Sequence, residues 1–407
     1  MINNWLFNTF FLVIILHLLV EDTAAQNYEW VSDNFPGSHV IGIEEKDGKV
    51  YAIISNGELA AYDPNIDYKV VLYEMEFIQT GEPGFILTEV NSVQYSDAFA
   101  TSSVRYVDET RTWILVQAAF GNEGKQIFRV ELRDENLELI TTSSIDTFGY
   151  PLTCHIDTYE GKTFILGSIL GPPSDELLYL VYSHTDPKYL PPIVVKQSEP
   201  RPTFWVTSMN IEDKTGEMLI FYYNGIARLD TNLHQVLRLG YDEIKTSDHG
   251  TAISTSTRYY SHGTADQVGT GGSRLNVLHM YDTSFTLLNA DTFGISIPDN
   301  YPFYIKSLVL RDEKILVGGH LDGPFTHFPI YKSIKKFYLA KYDTDMTLQW
   351  YKEYGGDRAY WMAGVHLLDD GSSLAYGFVT DLIDEYRYAY ILHVDENGDI
   401  ISSQIDP

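Results

Sequence analysis

The chain has 407 residues, of which 14% are aromatic and only 21% are charged. This composition favours a β-rich globular fold and argues against a disordered chain. The net charge of −28 at pH 7 argues against nucleic acid and anionic membranes as partners, because both bind positively charged surfaces. The length suggests two or three domains, although a closed β architecture can reach this size as one.

The N-terminal segment Trp5–Val20 is predominantly apolar and is followed by the small residues Thr23-Ala24-Ala25. This pattern predicts a secretory signal peptide over residues 1–25, with residues 26–407 as the mature domain. No Lys or Arg precedes the apolar run, so an uncleaved membrane anchor is the alternative. No other stretch has the length of a membrane span, and we expect a secreted or cell-surface protein without a span in the mature chain.

Cys154 is the only cysteine, which rules out an intramolecular disulfide and a cysteine-based zinc site. We expect its side chain to be a small buried hydrophobe.

A strand that ends in a polar turn and continues into a second apolar run recurs seven times along the chain. Asp is well suited to such turns because its carboxylate accepts hydrogen bonds from nearby backbone amides. The turn positions are Asp63, Asp134, Ser183, Asp230, Asp282, Asp343 and Asp395.

A second hairpin precedes the first in most copies, with its own polar or glycine-containing turn. These turns lie at Asp47-Gly48, Asp108, Gly161, Gly216, Asp312 and Gly371. The fifth copy lacks a clear second turn, although its length leaves room for one. Each unit is therefore predicted to contain four antiparallel strands.

Repetition of such units predicts an all-β fold, a seven-bladed β-propeller of four-stranded antiparallel blades, better than it predicts a sandwich or a solenoid. An unpaired terminal edge would invite aggregation, so the ring should be closed by a returning strand. The segment 28–35 resembles the outer strand around Trp350, and we expect this N-terminal strand to close the ring. Residues 399–404 compete for the same position.

The C-terminal third carries a family likeness in the motifs W-Y-K-E-Y-G-G at Trp350–Gly356, L-L-D-D-G at Leu367–Gly371, a lone Gly377, and H-V-D-E-N-G-D at His393–Asp399. These motifs resemble the repeat of secreted or cell-surface bacterial propeller-repeat proteins. The resemblance implies a propeller displayed outside the cell and does not indicate an activity.

Aromatic residues recur where the inner strand of a unit is expected to begin. In a propeller these positions surround the mouth of the central channel, where rings offer stacking surfaces for sugars or peptides. The alternative is ordinary packing between blades. The candidate ligand-binding residues are Tyr150, Trp205, Tyr304, Tyr360 and Trp361.

The chain contains no motif that predicts a nucleophile, a phosphate-binding loop or a cofactor. His320, Asp322 and His327 lie within eight residues, but their spacing matches no known zinc motif, and we predict no metal site. We therefore expect a monomeric binding protein with a carbohydrate or protein ligand. The alternative functions are an extracellular glycan hydrolase or lyase that uses carboxylates at the channel mouth, and a structural module of a larger surface assembly.

Overall fold

The structure is a computed structural model, and all of its regular elements are β-strands. It describes residues 37–56, 68–78, 84–96, 98–120, 126–146, 150–159, 162–170, 176–183, 193–198, 206–212, 215–222, 225–230, 234–240, 248–266, 274–293, 300–303, 305–321, 336–355, 358–380 and 387–405. Over these ranges no helix has the length and apolarity needed to cross a bilayer.

The first sheets follow one another along the chain, and each contains four consecutive antiparallel strands. The first sheet comprises β1 (Ser38–Lys46), β2 (Lys49–Asn56), β3 (Tyr68–Ile78) and β4 (Gly84–Tyr95). The second comprises β5 (Ala98–Val107), β6 (Thr112–Phe120), β7 (Gln126–Arg133) and β8 (Leu139–Asp146). The third comprises β9 (Tyr150–Tyr159), β10 (Lys162–Leu170), β11 (Glu176–Ser183) and β12 (Ile193–Ser198).

The remaining sheets continue the same order. The next comprises β13 (Val206–Ile211), β14 (Met218–Tyr222), β15 (Gly225–Leu229) and β16 (Gln235–Gly240). It is followed by β17 (Asp248–Ser254), β18 (Arg258–Asp266), β19 (Arg274–Asp282) and β20 (Leu287–Phe293). A five-stranded sheet comprises β21 (Tyr301–Pro302), β22 (Leu308–Arg311), β23 (Lys314–Leu321), β24 (Lys336–Asp343) and β25 (Leu348–Gly355). The last sheet comprises β26 (Ala359–Leu367), β27 (Ser373–Thr380), β28 (Arg387–Val394) and β29 (Ile400–Ile405).

The sheets are arranged as a closed ring around a central channel. The first strand of each sheet, with β22 in the five-stranded one, contacts the first strand of the next, and β26 contacts β1. Each cluster of buried apolar side chains lies between two neighbouring sheets; one, for example, joins Ile54 of β2 to Ile391 of β28. The fold is therefore a β-propeller, as the repeats predicted.

The prediction of seven four-stranded blades and the predicted closure are wrong. Six sheets are four-stranded blades, whereas the sheet from Tyr301 to Gly355 has five strands. Its first strand is divided into β21 and β22, which both pair with β23, because the backbone between them pairs with β26 of the next sheet instead. The outer position of the last sheet is occupied by the C-terminal strand β29, not by an N-terminal strand. Residues 28–35 lie outside the described residues.

The polar turns place most of the predicted hairpins correctly. Asp134 and Asp282 each accept hydrogen bonds from the backbone amides two and four residues later, at 2.8–2.9 Å. Asp63 is an exception. It lies in the sequence between β2 and β3, whereas the turn was expected between the third and fourth strands. The fifth unit does contain a first hairpin, in which Thr255 Oγ1 accepts a hydrogen bond from the Arg258 amide at 3.0 Å.

A tight approach between β26 and β27 explains the lone glycine of the repeat. The ladder between these strands shifts register between Met362 and Gly364. A Cβ atom at Gly377 on the opposing strand would lie 2.1 Å from the Trp361 carbonyl oxygen and 2.7 Å from Met362 Cα. Only glycine therefore fits opposite this bulge.

We predict that Gly377→Ala destabilises the propeller by about 1–3 kcal/mol, because the added methyl must displace backbone atoms. Urea unfolding would measure the effect. Gly84→Ala is the control, since its Cβ would meet nothing closer than Ser402 Cβ at 3.7 Å, and we expect a change within about 0.5 kcal/mol. Equal stability of the two variants would contradict the packing argument.

Candidate functional site

Two aromatic side chains lie at the end of the propeller where the inner strands begin, which we call the entrance face. Trp361 and Phe378 are direct cross-strand partners on β26 and β27, so their side chains project from the same side of the sheet. Their rings are nearly parallel, with an angle of 4° between the planes and 6.1 Å between centroids. Both side chains are half-buried, so each ring keeps part of its surface accessible.

A cation and an imidazole complete this cluster. The Arg387 guanidinium lies over the Phe378 ring, 4.9 Å from its centroid. His39 of β1 meets Phe378 edge to face at 6.2 Å, and its Nδ1 is 2.9 Å from Ser55 Oγ. We call Trp361, Phe378, Arg387 and His39 the aromatic patch; it joins the last sheet to the first.

Tyr360 is adjacent to Trp361 and therefore projects from the opposite side of β26. Its side chain is only 6% exposed. Its ring packs against Phe337 of the preceding sheet at 5.6 Å and against Tyr390 at 5.2 Å. At this position the aromatic residue fills the space between sheets, which is the alternative of ordinary packing between blades.

The other predicted ligand-binding residues are only partly placed. Tyr150 is the first residue of β9, so it begins an inner strand at the entrance face. Trp205 and Tyr304 lie outside the described residues, as does the side chain of Tyr150. Their position around the channel mouth stays a prediction.

The Nε2 atom of His320, which a metal would need as a ligand, is engaged in a hydrogen bond. Its side chain is 4% exposed, and its Nε2 accepts a hydrogen bond from the Met362 backbone amide at 2.9 Å. Its ring packs 5.0 Å from Phe303 and 6.1 Å from Trp361. Asp322 and His327 lie outside the described residues, and within the described ranges no three His, Cys, Asp or Glu residues are grouped to hold a metal.

A charged network occupies the opposite end of the propeller, where the first hairpin of each sheet turns. The Glu45 carboxylate accepts a hydrogen bond from His366 Nε2 at 2.8 Å and pairs with the Arg311 guanidinium. Arg311 also donates to the Leu367 carbonyl oxygen at 2.8 Å and contacts the Asp369 carboxylate. The hydrogen bond from His366 and the pairing with Arg311 lower the pKa of Glu45 to about 2. Burial lowers the pKa of His366, so its imidazole is neutral near pH 7.

A second group of charged side chains lies in the channel and was not anticipated from the sequence. It comprises Glu44 of β1, Arg105 of β5 and Lys306 between β21 and β22. The Arg105 guanidinium lies 3.9 Å from the Glu44 carboxylate. The available signal was a charge inside a strand that is otherwise apolar, as in Val104-Arg105-Tyr106. Phe378 and Arg387 carried no comparable signal, because their contact with Trp361 depends on strand pairing.

Comparison with known proteins supports the fold. No protein-family model matches the chain, and no curated protein sequence matches it. The crystal structure of polysaccharide lyase Uly1 aligns with a TM-score of 0.50 at 12% identity, covering 88% of this chain and 90% of that one. The β-propeller domain of the trilobed protease from Pyrococcus furiosus aligns with a TM-score of 0.47 at 12% identity, covering 91% and 100%. The Neurospora crassa Pan2 WD40 domain aligns with a TM-score of 0.45 at 12% identity, covering 75% and 85%.

The similarity to Uly1 shows a shared fold and nothing about activity, because the identity is low. The propeller architecture that the repeat resemblance implied is thus confirmed. Membership of the secreted bacterial repeat family stays a prediction.

The charged network predicts a pH dependence of stability. Because the pKa of Glu45 falls from 4.5 to about 2 on folding, its ionised form stabilises the native state above pH 4.5, and this contribution is lost as the pH falls towards 2. Glu45→Gln should therefore cost about 2 kcal/mol near pH 6, allowing for partial solvent screening, and much less near pH 2.5.

Urea unfolding at both pH values measures this difference. Glu74→Gln is the control, because Glu74 pairs with Lys49 at 2.7 Å on the outer part of the first sheet and not with a buried histidine. A Glu45→Gln cost that is the same at both pH values would contradict the assignment.

Proposed function

We propose that this protein is an exported, non-enzymatic binding propeller that recognises a glycan through its aromatic patch. The observation that carries the proposal is the parallel, half-buried pair Trp361 and Phe378 with the Arg387 guanidinium over the Phe378 ring. Export rests on the signal-peptide pattern of residues 1–25 and on the repeat resemblance, and a monomeric state is part of the proposal.

The chemistry of the patch suits a sugar. An aromatic face stacks on the apolar C–H face of a pyranose, and the half-buried Trp361 ring, which is stacked on Phe378, offers a surface of this kind. Guanidinium N–H groups donate to hydroxyl and carboxylate oxygens in a fixed geometry. Arg387, next to these rings, therefore favours a sugar that carries an acidic group.

The patch is also rigid, which reduces the entropy lost on binding. Trp361 is supported by His320, whose Nε2 is fixed by the Met362 amide at 2.9 Å. Ser38 Oγ accepts a hydrogen bond from the Ala389 amide at 2.9 Å and so holds β28 against the start of β1. These contacts set the spacing of the aromatic patch before a ligand arrives.

Binding is favoured over hydrolysis because Glu45, a carboxylate that lies next to a histidine, is already engaged. Glu45 accepts from His366 and pairs with Arg311, at the end of the channel remote from the aromatic patch. A general acid for glycoside cleavage needs a raised pKa, whereas the pKa of Glu45 is lowered to about 2.

A glycan array that includes neutral and uronic-acid-containing oligosaccharides tests the proposal. We expect the wild-type chain to bind an acidic glycan and Trp361→Ala to bind it about tenfold more weakly, because a stacking contact of about 1.4 kcal/mol is lost. Trp350→Ala is the matched control. Trp350 is also half-buried, but it lies on β25, where its Nε1 donates to the Glu396 carbonyl oxygen at 2.7 Å.

Four results would count against the proposal as stated. Failure of the wild-type chain to bind any glycan would remove the ligand class, and equal binding by Trp361→Ala and the wild type would remove the site. Turnover of a bound oligosaccharide, seen as new reducing ends or unsaturated products, would replace binding with catalysis. Peptide binding that is lost in Trp361→Ala would keep the site and change its ligand to protein.

A further inference from the structure

We propose that the central channel contains a binding site for a small oxyanion, a carboxylate or a phosphate, formed by Lys306, Arg105 and Tyr376. This site is separate from the aromatic patch and does not depend on the proposed glycan function. Its elements come from the five-stranded sheet, the second sheet and the last sheet.

The backbone of Lys306 is fixed from two sides. The Lys306 amide donates to the Ala363 carbonyl oxygen at 3.0 Å, and the Lys306 carbonyl oxygen accepts from the Val365 amide at 2.9 Å. On the other side, the Ser307 amide donates to Thr251 Oγ1 at 2.6 Å and Ser307 Oγ accepts from the Thr251 amide at 2.8 Å. The chain here pairs with the sheets before and after it, and this is why the inner strand is divided at Lys306.

The side chain of Lys306 lies inside the channel. It retains part of its accessible surface although protein encloses it, as expected of a side chain that lines a narrow passage. Burial lowers the pKa of Lys306, and the neighbouring Arg105 lowers it further, against the opposing effect of Glu44 and Glu45. These neighbours belong to β1 and β5, so the Lys306 side chain lies within electrostatic range of both strands.

Lys306 forms no ion pair with any carboxylate of the described residues. This is unusual in a chain with 56 acidic and 28 basic residues. Peripheral cations illustrate the contrast: Lys49 pairs with Glu74 at 2.7 Å and Arg228 with Glu217 at 3.2 Å. A buried cation without a partner is costly, and a bound anion would offset that cost.

Arg105 and Tyr376 add donors to the same space. The Arg105 guanidinium is only loosely paired with Glu44, at 3.9 Å. The charge of Asp157 also acts on it and helps to raise its pKa. A Cβ atom at Gly364 would lie 2.4 Å from the Tyr376 hydroxyl and 3.0 Å from Lys306 Cβ, so the glycine leaves room for this phenol next to Lys306. Burial raises the pKa of Tyr376, and its hydroxyl stays protonated and can donate.

The charges of this site select the ligand class. Lys306 and Arg105 are two cations, and Glu44 is the carboxylate that acts most strongly on both of them. In an enclosed channel these two cations attract an oxyanion more strongly than they would at the surface. Glu44 penalises ligands with several negative charges and favours a small anion with one or two.

Thermal unfolding of the full chain with added inorganic phosphate or acetate, at constant ionic strength set with chloride, tests the site. We expect either anion to raise the Tm of the wild type and titration calorimetry to show one bound anion per chain. Lys306→Met should abolish the Tm rise and weaken binding at least tenfold. Lys314→Met is the charge-matched control, because Lys314 pairs with Asp343 outside the channel and should leave the effect unchanged.

Arg105→Gln provides a second variant in case Lys306→Met does not fold, with the same expected loss. Absence of any stabilisation of the wild type by both anions would overturn the proposal. Equal stabilisation of the wild type, Lys306→Met and Lys314→Met would overturn it too, since it would indicate general salt effects. A response to phosphate alone or to acetate alone would identify which oxyanion the site accepts.

Discussion

The structure depends on the sharing of each apolar cluster between two neighbouring sheets. Trp113 and Tyr51, for example, belong to different sheets but to one buried cluster, with ring centroids 6.2 Å apart. Because neither sheet can bury such a cluster alone, no blade is stable without its neighbours. The cluster between the first and last sheets, which contains Ile54 and Ile391, must therefore form for the ring to be complete.

This dependence on neighbours separates what was predictable from what was not. The hairpins at Asp134, Asp282 and Asp395 were placed correctly, because their turns are stabilised by hydrogen bonds within five residues of sequence. The break at Lys306 depends on a contact with a distant segment, because its backbone pairs with Gly364. A repeat pattern carries no direct record of such contacts, so it led to too regular a ring.

The same distinction applies to the candidate sites. Tyr360 and Trp361 were both predicted to bind the ligand. Adjacent residues on a strand project from opposite faces, so the alternation of side chains alone would have separated the two. Trp361 reaches the entrance face, whereas Tyr360 fills the space between sheets. The partners of Trp361 could not have been inferred, because Phe378 and Arg387 reach it through strand pairing and His39 reaches it through the closure of the ring.

The channel charges show how a strongly acidic protein can hold an anion. Surface carboxylates act over distances limited by salt, with a Debye length of about 8 Å at physiological ionic strength. Lys306 and Arg105 lie in an enclosed space where screening is weaker, so nearby groups dominate their potential. The bulged inner strands that allow the ring to close also leave Lys306 facing the channel and Gly364 open to Tyr376. The geometry that closes the propeller therefore also places two cations, Lys306 and Arg105, inside a molecule whose net charge is negative.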